Sequence, residues 1–110
     1  MDRQELNAAR AGLVPGDRAA LGALVKASVR AFAQQTPGRS VELRVPPFVA
    51  VQCVEGPRHT RGTPPNVVEL DAATWFALAL GELDWADGIA DGRIYASGPR
   101  SDLSSYLPLP

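Results

Sequence analysis

The sequence predicts an α+β domain in which helices pack on one side of a mostly antiparallel sheet of four or five strands. Near the N-terminus, residues 17–35 carry apolar side chains every three or four positions, as a buried helix does. From residue 41 onward, short segments with apolar residues at every second position are separated by Pro and Gly, as in strands joined by turns. Helical segments flank this group of strands instead of following each strand, which is typical of the α+β class.

The N-terminal residues 1–16 contain a helix start that is soon interrupted. Asp2 followed by Glu5 has the spacing of a capping box, but Gly12 and Pro15 would end any helix that begins there. We therefore expect a loosely ordered arm over residues 1–16 and one domain over residues 17–110. The first firm helix begins after Asp17 and continues to about Gln35, and its predicted buried stripe consists of Leu21, Leu24, Val25, Ser28 and Phe32.

The predicted strands follow in residues 41–45, 48–54, 67–70 and 93–97. In the first strand, Glu42 and Arg44 alternate with valine and leucine, which indicates one wet face. The second, FVAVQCV, is apolar on both faces apart from Gln52, so it is predicted to lie centrally, between neighbouring strands and under a helix.

The helix predicted at residues 72–80, AATWFALAL, is apolar all the way round. Asp71 caps its start and Gly81 ends it. A helix without a polar face is either fully buried or has one face against something other than water. A short helix opened by Asp84 follows, in which Trp85 is expected to point inward as a core anchor.

Composition excludes several classes of function. The net charge is −1 and the pI is about 5.7, so the chain lacks the positive charge that a general nucleic-acid binder needs. Cys53 is the only cysteine and lies in an apolar strand, where it is expected to act as a small hydrophobe. Pairing it with His59 as nucleophile and base is disfavoured, and the sequence offers no other catalytic motif. We expect no enzyme activity, no cofactor and no metal site.

The N-terminal sequence has no basic region followed by an apolar core, as a secretory signal would have. The apolar runs are also far shorter than the roughly 20 residues that span a bilayer. We therefore expect a cytoplasmic protein that does not insert into membranes.

The segment GPRHTRGTPPN, residues 56–66, places Arg58, His59 and Arg61 between glycines and prolines. Arginine side chains bind carboxylates and phosphates through paired hydrogen bonds, and glycine lets the backbone approach a ligand closely. The segment is therefore either an anion site or a stiff connection between two strands. Of these two interpretations, the stiff connection is favoured.

From Asp71 to Gly98 the sequence resembles the sterol carrier protein family, and specifically its short stand-alone bacterial branch. The residues that match the family pattern are Trp75, Leu78, Gly81, Leu83, Ala86 or Ala90, Gly92, Ile94 and Gly98. The order of the upstream helix and strands also fits. The resemblance implies a sterol-carrier-like fold and a lipid ligand held between the sheet and the helix at 72–80. We expect an apolar wall formed by Phe32, Val51, Trp75, Phe76, Leu78 and Leu80. On the anion-site interpretation, Arg58, His59 and Arg61 would lie at or near its mouth.

Two functions follow from these observations. The first is a non-catalytic binding module for an apolar ligand, such as a fatty acyl chain or another lipid. The alternative is a protein–protein interaction module or accessory subunit without a small-molecule ligand, in which the apolar helix and the VPPF segment contact a second copy or a partner protein.

Overall fold

The structure, a computed structural model, describes residues 1–56 and 66–110. Its helices are α1 (Arg3–Ala11), α2 (Arg18–Gln35), α3 (Ala72–Ala79) and α4 (Trp85–Ala90), with a short 3-10 turn at Ser104–Tyr106. Its strands are β1 (Val41–Val45), β2 (Val49–Cys53), β3 (Val67–Leu70) and β4 (Ile94–Ser97). The predicted α+β class is confirmed.

The four strands form one sheet in the order β2-β1-β3-β4. Two of the three pairings, β1 with β2 and β3 with β4, are antiparallel, whereas β1 and β3 run parallel. Leu43 lies opposite both Val51 and Val68, so these side chains share one face of the sheet. That face joins the core under the helices, while the face that carries Arg44 and Glu69 stays outside it.

Helices α2 and α3 meet through an aromatic contact and a buried hydrogen bond. The rings of Phe32 and Trp75 pack edge to face, with centroids 5.6 Å apart and planes at 76°. The indole N–H of Trp75 donates to Ser28 Oγ at 2.9 Å, and the Ser28 hydroxyl lies 2.8 Å from the Leu24 carbonyl. The indole is therefore fully buried with its polar atom satisfied.

Helix α3 is covered on nearly every side, as a helix without a polar face requires. Trp75, Phe76, Leu78 and Ala79 are buried, and Ala73 is its one exposed residue. At its C-terminal end the chain's last segment crosses it, where the Leu109 N–H donates to the Ala79 carbonyl at 2.9 Å. Of the two interpretations of this helix, the structure shows burial.

Residues 1–16 differ from the loosely ordered arm that the sequence predicts. Asp2 caps α1 by accepting from the Glu5 N–H at 2.8 Å, and Leu6 is fully buried. The Arg3 N–H donates to the Pro110 carbonyl at 2.8 Å, which joins α1 to the end of the chain. Gly12 ends this helix but does not prevent it, because Leu6 provides an anchor that local sequence does not reveal.

The prediction for β2 is wrong in one respect. It lies under α2 as expected, but it is an edge strand of the described sheet and β1 is central. The apolar residue Ala50 suggested two buried faces, yet Ala50 and Gln52 are both exposed. A small apolar side chain tolerates an exposed face, so its presence does not fix a strand's position in the sheet.

The bond between Trp75 and Ser28 gives a test of the helix pairing. Ser28→Ala leaves a buried indole N–H without an acceptor, so we expect the free energy of unfolding to fall by about 1–3 kcal/mol. In the Trp75→Phe background, where no N–H remains, the same Ser28 substitution should cost less. Urea unfolding of the four proteins measures this coupling. Equal costs in both backgrounds would show that the hydrogen bond contributes nothing to stability.

The turn after α2 gives a second test. Gly38 has φ +147°, and a Cβ there would lie 2.1 Å from the Val54 carbonyl oxygen, which is backbone and cannot move aside. We expect Gly38→Ala to lower the free energy of unfolding by at least about 2 kcal/mol. Gly12→Ala is the matched control, because its nearest contact would be an ordinary 3.6 Å, and it should change stability by less than about 0.5 kcal/mol. Thermal melting compares the two.

Candidate functional site

The six residues predicted to wall a ligand site all lie in or against the hydrophobic core. Phe32, Trp75, Phe76 and Leu78 belong to the buried cluster, and Val51 and Leu80 pack against it half-buried. The structure therefore brings the predicted wall together. Around Phe32 and Trp75 the space is occupied by the protein's own side chains.

Leu78 also lines a cavity of about 250 Å³ at the C-terminal end of α3. We call it the α3–tail cavity. Leu83, Trp85 and the segment around Leu107 line it together with Leu78, and polar atoms make up more of its exposed lining than apolar atoms do. The complete lining consists of Arg3, Leu78, Gly81, Leu83, Asp84, Trp85, Ser104, Leu107 and Pro108.

The turn after α3 positions one wall of this cavity. Gly81 has φ +75°, a conformation that glycine adopts without strain. The Glu82 N–H then donates back to the Ala77 carbonyl at 2.8 Å, which closes the end of the helix. Because the chain reverses here, Leu83 and Trp85 lie on the same cavity as Leu78.

The opposite wall consists of the two ends of the described chain. Leu109 is buried and hydrogen-bonded to Ala79, so the preceding Leu107 and Pro108 are fixed beside α3. The bond between Arg3 and Pro110 adds the first turn of α1 to this wall. Residues at three distant places in the sequence thus enclose one cavity.

Two charged side chains on the cavity, Asp84 and Arg3, have fewer hydrogen-bond or ion-pair partners than the neighbouring pair Arg10 and Glu82. Asp84 is the N-cap residue of α4, but its side chain makes no capping hydrogen bond. Within residues 1–56 and 66–110, the Arg3 guanidinium forms no salt bridge. By contrast, Arg10 holds both carboxylate oxygens of Glu82, at 2.8 and 2.6 Å, and this bond lowers the pKa of Glu82.

A second, more open depression of about 360 Å³ adjoins the first at Arg3. We call it the α1 groove. Two amide side chains, Gln4 and Asn7, line it together with Arg3, Leu80 and Glu82. Arg3 thus lines both depressions.

The predicted anion residues Arg58, His59 and Arg61 lie outside the described residues, and their role stays a prediction. The last residue of the GPRHTRGTPPN segment is described and is firmly held. Asn66 is buried, donates through its amide to the Ser40 carbonyl at 2.7 Å and accepts the Arg100 N–H at 2.8 Å.

The structure also bears on the reactivity of Cys53, on metal binding and on membrane insertion. Burial raises the pKa of the Cys53 thiol to about 11, so this sulfur is protonated at neutral pH and is a poor nucleophile. Among the described residues, no three His, Cys, Asp or Glu side chains come together as metal ligands. Among the helices of that part of the chain, none is both long and apolar enough to cross a membrane.

Sequence reasoning missed most of the cavity lining. Arg3 lay in the segment predicted to be loosely ordered, and Leu107 and Pro108 carried no recognised signal. The sequence predicts Trp85 to be a core anchor; it packs half-buried against the core and also lines the cavity. The available sequence signal was the spacing of Gly81, Leu83 and Trp85. A glycine that ends a helix, followed by apolar residues at every second position, places those apolar side chains on one side of the chain.

Comparison with known proteins agrees with this fold. A search of curated proteins gives no match to this chain. A protein-family model described as a bacterial ortholog of SCP, the sterol carrier protein, matches residues 17–109, which is most of the chain. The chain therefore belongs to the sterol carrier protein family, in its bacterial branch.

Proposed function

We propose that the protein is a non-catalytic binding module for an apolar or acyl ligand and that the α3–tail cavity is its site. The observation that carries this proposal is that Leu78, Leu83, Trp85 and Leu107 place apolar side chains on one cavity, whose lining also has a substantial polar part. Binding sites for small molecules commonly combine these two features. Membership of the sterol carrier family supports a lipid-like ligand.

The size of the cavity limits the ligand. At about 250 Å³ it is slightly below the roughly 300–1,000 Å³ of sites for drug-sized molecules. It fits one short chain, or the end of a longer one, but not the whole of a sterol. Each methylene moved from water into the cavity contributes about 0.8 kcal/mol, which the loss of ligand freedom offsets in part.

The proposed site lies at one end of α3, not between its middle and the sheet. Phe32 and Trp75 fill the space that the resemblance assigned to a ligand, and displacing them would break the bond to Ser28. Leu78 is common to both locations. The ligand thus uses the end of the predicted wall, at Leu78.

A bulky substitution in the cavity tests this function. We expect octanol to bind the unmodified protein and Leu83→Trp to weaken its binding by about tenfold or more, because the indole occupies the space of the chain. Val14→Trp is the control, since Val14 is 65% exposed and lies outside the lining. Isothermal titration calorimetry gives the affinities, and circular dichroism shows that both variants are folded.

Leu107→Trp provides a second block from the opposite wall, in case Leu83→Trp unfolds the protein. Failure of octanol to bind the unmodified protein would reject the carrier function. Equal binding by all three tryptophan variants would place the ligand elsewhere.

The second candidate function is a contact between copies of the chain. Tyr95 is 62% exposed on the face of the sheet that the helices leave open. Near Glu69 on that face, a depression of about 380 Å³ is lined by the segment from Pro46 to Ala50. Phe48 is held in this segment beneath the guanidinium of Arg18, 5.4 Å from its ring centroid. An exposed aromatic residue beside an apolar depression favours an interaction surface.

Charging the open face tests this second candidate. If the face joins two copies, Tyr95→Glu should convert a dimer to a monomer, because the carboxylate would be buried without a partner. Tyr106→Glu, on a tyrosine that is 41% exposed and precedes the tail, is the matched control and should leave the dimer intact. Light scattering after size-exclusion chromatography measures the mass. A monomeric unmodified protein would exclude this candidate.

A further inference from the structure

We propose that the open face of the sheet joins two copies of the chain around a two-fold axis that runs along the strands, between β1 and β3. The inference rests on the second candidate function and adds the arrangement of the two copies. Arg44 of one copy lies opposite Glu69 of the other, and Tyr95 of one copy enters the depression of the other. The observation behind it is the order of four side chains across this face.

One row of side chains crosses all four strands of the described sheet on its open face. Arg44 is the partner of Ala50 on β2 and of Glu69 on β3. Glu69 is in turn the partner of Tyr95 on β4. Partners on neighbouring strands point to the same face of a sheet. From β2 to β4, the row therefore consists of a small side chain, a cation, an anion and a large aromatic ring.

This order is self-complementary. A two-fold axis along the strands, midway between β1 and β3, reverses the row in the second copy. Each cation then faces an anion, and each small side chain faces a large one. A contact between identical copies around a two-fold axis requires such a match, because the same surface serves both partners.

The shape of the face fits the same arrangement. Tyr95 is 62% exposed on the β4 side of the face. The depression of about 380 Å³ lies on the β2 side, at the segment from Pro46 to Ala50, and Tyr95 is outside its lining. The two-fold axis places each tyrosine over the depression of the other copy. Each copy thus contributes one projecting ring and one depression.

The central charges are positioned for a contact between copies. The Arg44 guanidinium donates from Nε and Nη2 to the Glu42 carboxylate at 2.9 and 2.5 Å, which orients it and balances the charge of Glu42. An arginine has five N–H donors, so three remain for a second acceptor. Among the described residues, Glu69 forms no salt bridge, although Arg44 is its partner in the sheet. Across the axis, each Glu69 accepts from the remaining donors of the other copy's Arg44.

The extent of the face sets the strength of the contact. Its strands have four or five residues at about 3.3 Å each, and a spacing of about 4.8 Å makes the face roughly 15 by 17 Å. This is well below the roughly 800 Å² that each partner buries in a standard interface. We therefore expect a weak dimer, with a dissociation constant on the order of 10–100 μM. Added salt should weaken it further, because it screens the ion pairs.

Charge exchange in separate copies tests the arrangement. Arg44→Glu and Glu69→Arg each bring like charges together in a dimer of one variant, so each should weaken self-association by at least about tenfold. In a mixture of the two variants, opposite charges meet at both contacts, and a heterodimer should form with about the affinity of the unmodified protein. Sedimentation velocity measures each variant and the mixture. Arg30→Glu and Asp91→Arg, at exposed positions on α2 and at the end of α4, make the same charge changes and should leave the dimer intact.

A second pair of variants exchanges size instead of charge, in case Arg44→Glu unfolds the protein. Ala50 and Tyr95 are both exposed, so substitutions there should leave the fold intact. Ala50→Tyr places two tyrosines opposite each other and should weaken the dimer by about tenfold. Adding Tyr95→Ala to the same chain reverses the order of sizes and should restore most of the affinity. Circular dichroism shows that both proteins are folded.

The outcomes separate this arrangement from the candidate function on which it rests. An unmodified protein that stays monomeric up to about 1 mM rejects the contact between copies altogether. A dimer that Tyr95→Glu disrupts, but that Glu69→Arg and Ala50→Tyr leave unchanged, keeps the open face as the contact and overturns the two-fold arrangement. Failure of the mixed charge variants to form a heterodimer, when both are folded, also overturns it.

Discussion

The hydrogen bond from the Trp75 indole to Ser28 Oγ, with the Phe32 ring packed against the same indole, is the contact on which the arrangement of the helices depends. It fixes the rotation of α3 about its own axis and its position along α2. Because α3 has no polar face, every other side of it must then be covered by something apolar. The sheet, the C-terminal segment and α1 provide that cover, and each is positioned by this requirement.

The side chains that pack around α3 cover its middle more completely than its C-terminal end. In its middle, side chains from α2 fill the space around Trp75 completely. At its C-terminal end, the cover comes from Leu107, Pro108 and the first turn of α1, which reach α3 from opposite ends of the described chain. Leu6 and Leu109 anchor these segments, while Leu83 and Trp85 pack against the core only half-buried. The cavity at this end lies between α3, the turn into α4 and the two ends of the described chain.

Local signals predicted much of this fold, because they act within a few residues. The capping residues Asp17 and Asp71 accept the backbone N–H groups expected of them, and Gly81 ends α3 in a positive-φ conformation. The parallel pairing of β1 with β3 and the edge position of β2 could not be predicted in this way. They are set by contacts between residues far apart in sequence, on which alternation within one strand gives no information.

The same difference between local signals and contacts over long sequence distances explains which parts of the site could be predicted. Leu78 belonged to the predicted wall because α3 is visibly apolar, and the family pattern marked Leu83. Arg3 and Leu107 line the same cavity only because the two ends of the described chain meet through the Arg3–Pro110 bond. A ligand bound there would contact α1, α3 and the C-terminal segment together. It would therefore stabilise the meeting of the chain ends as well as the fold, since ligand that binds only the native state raises its stability.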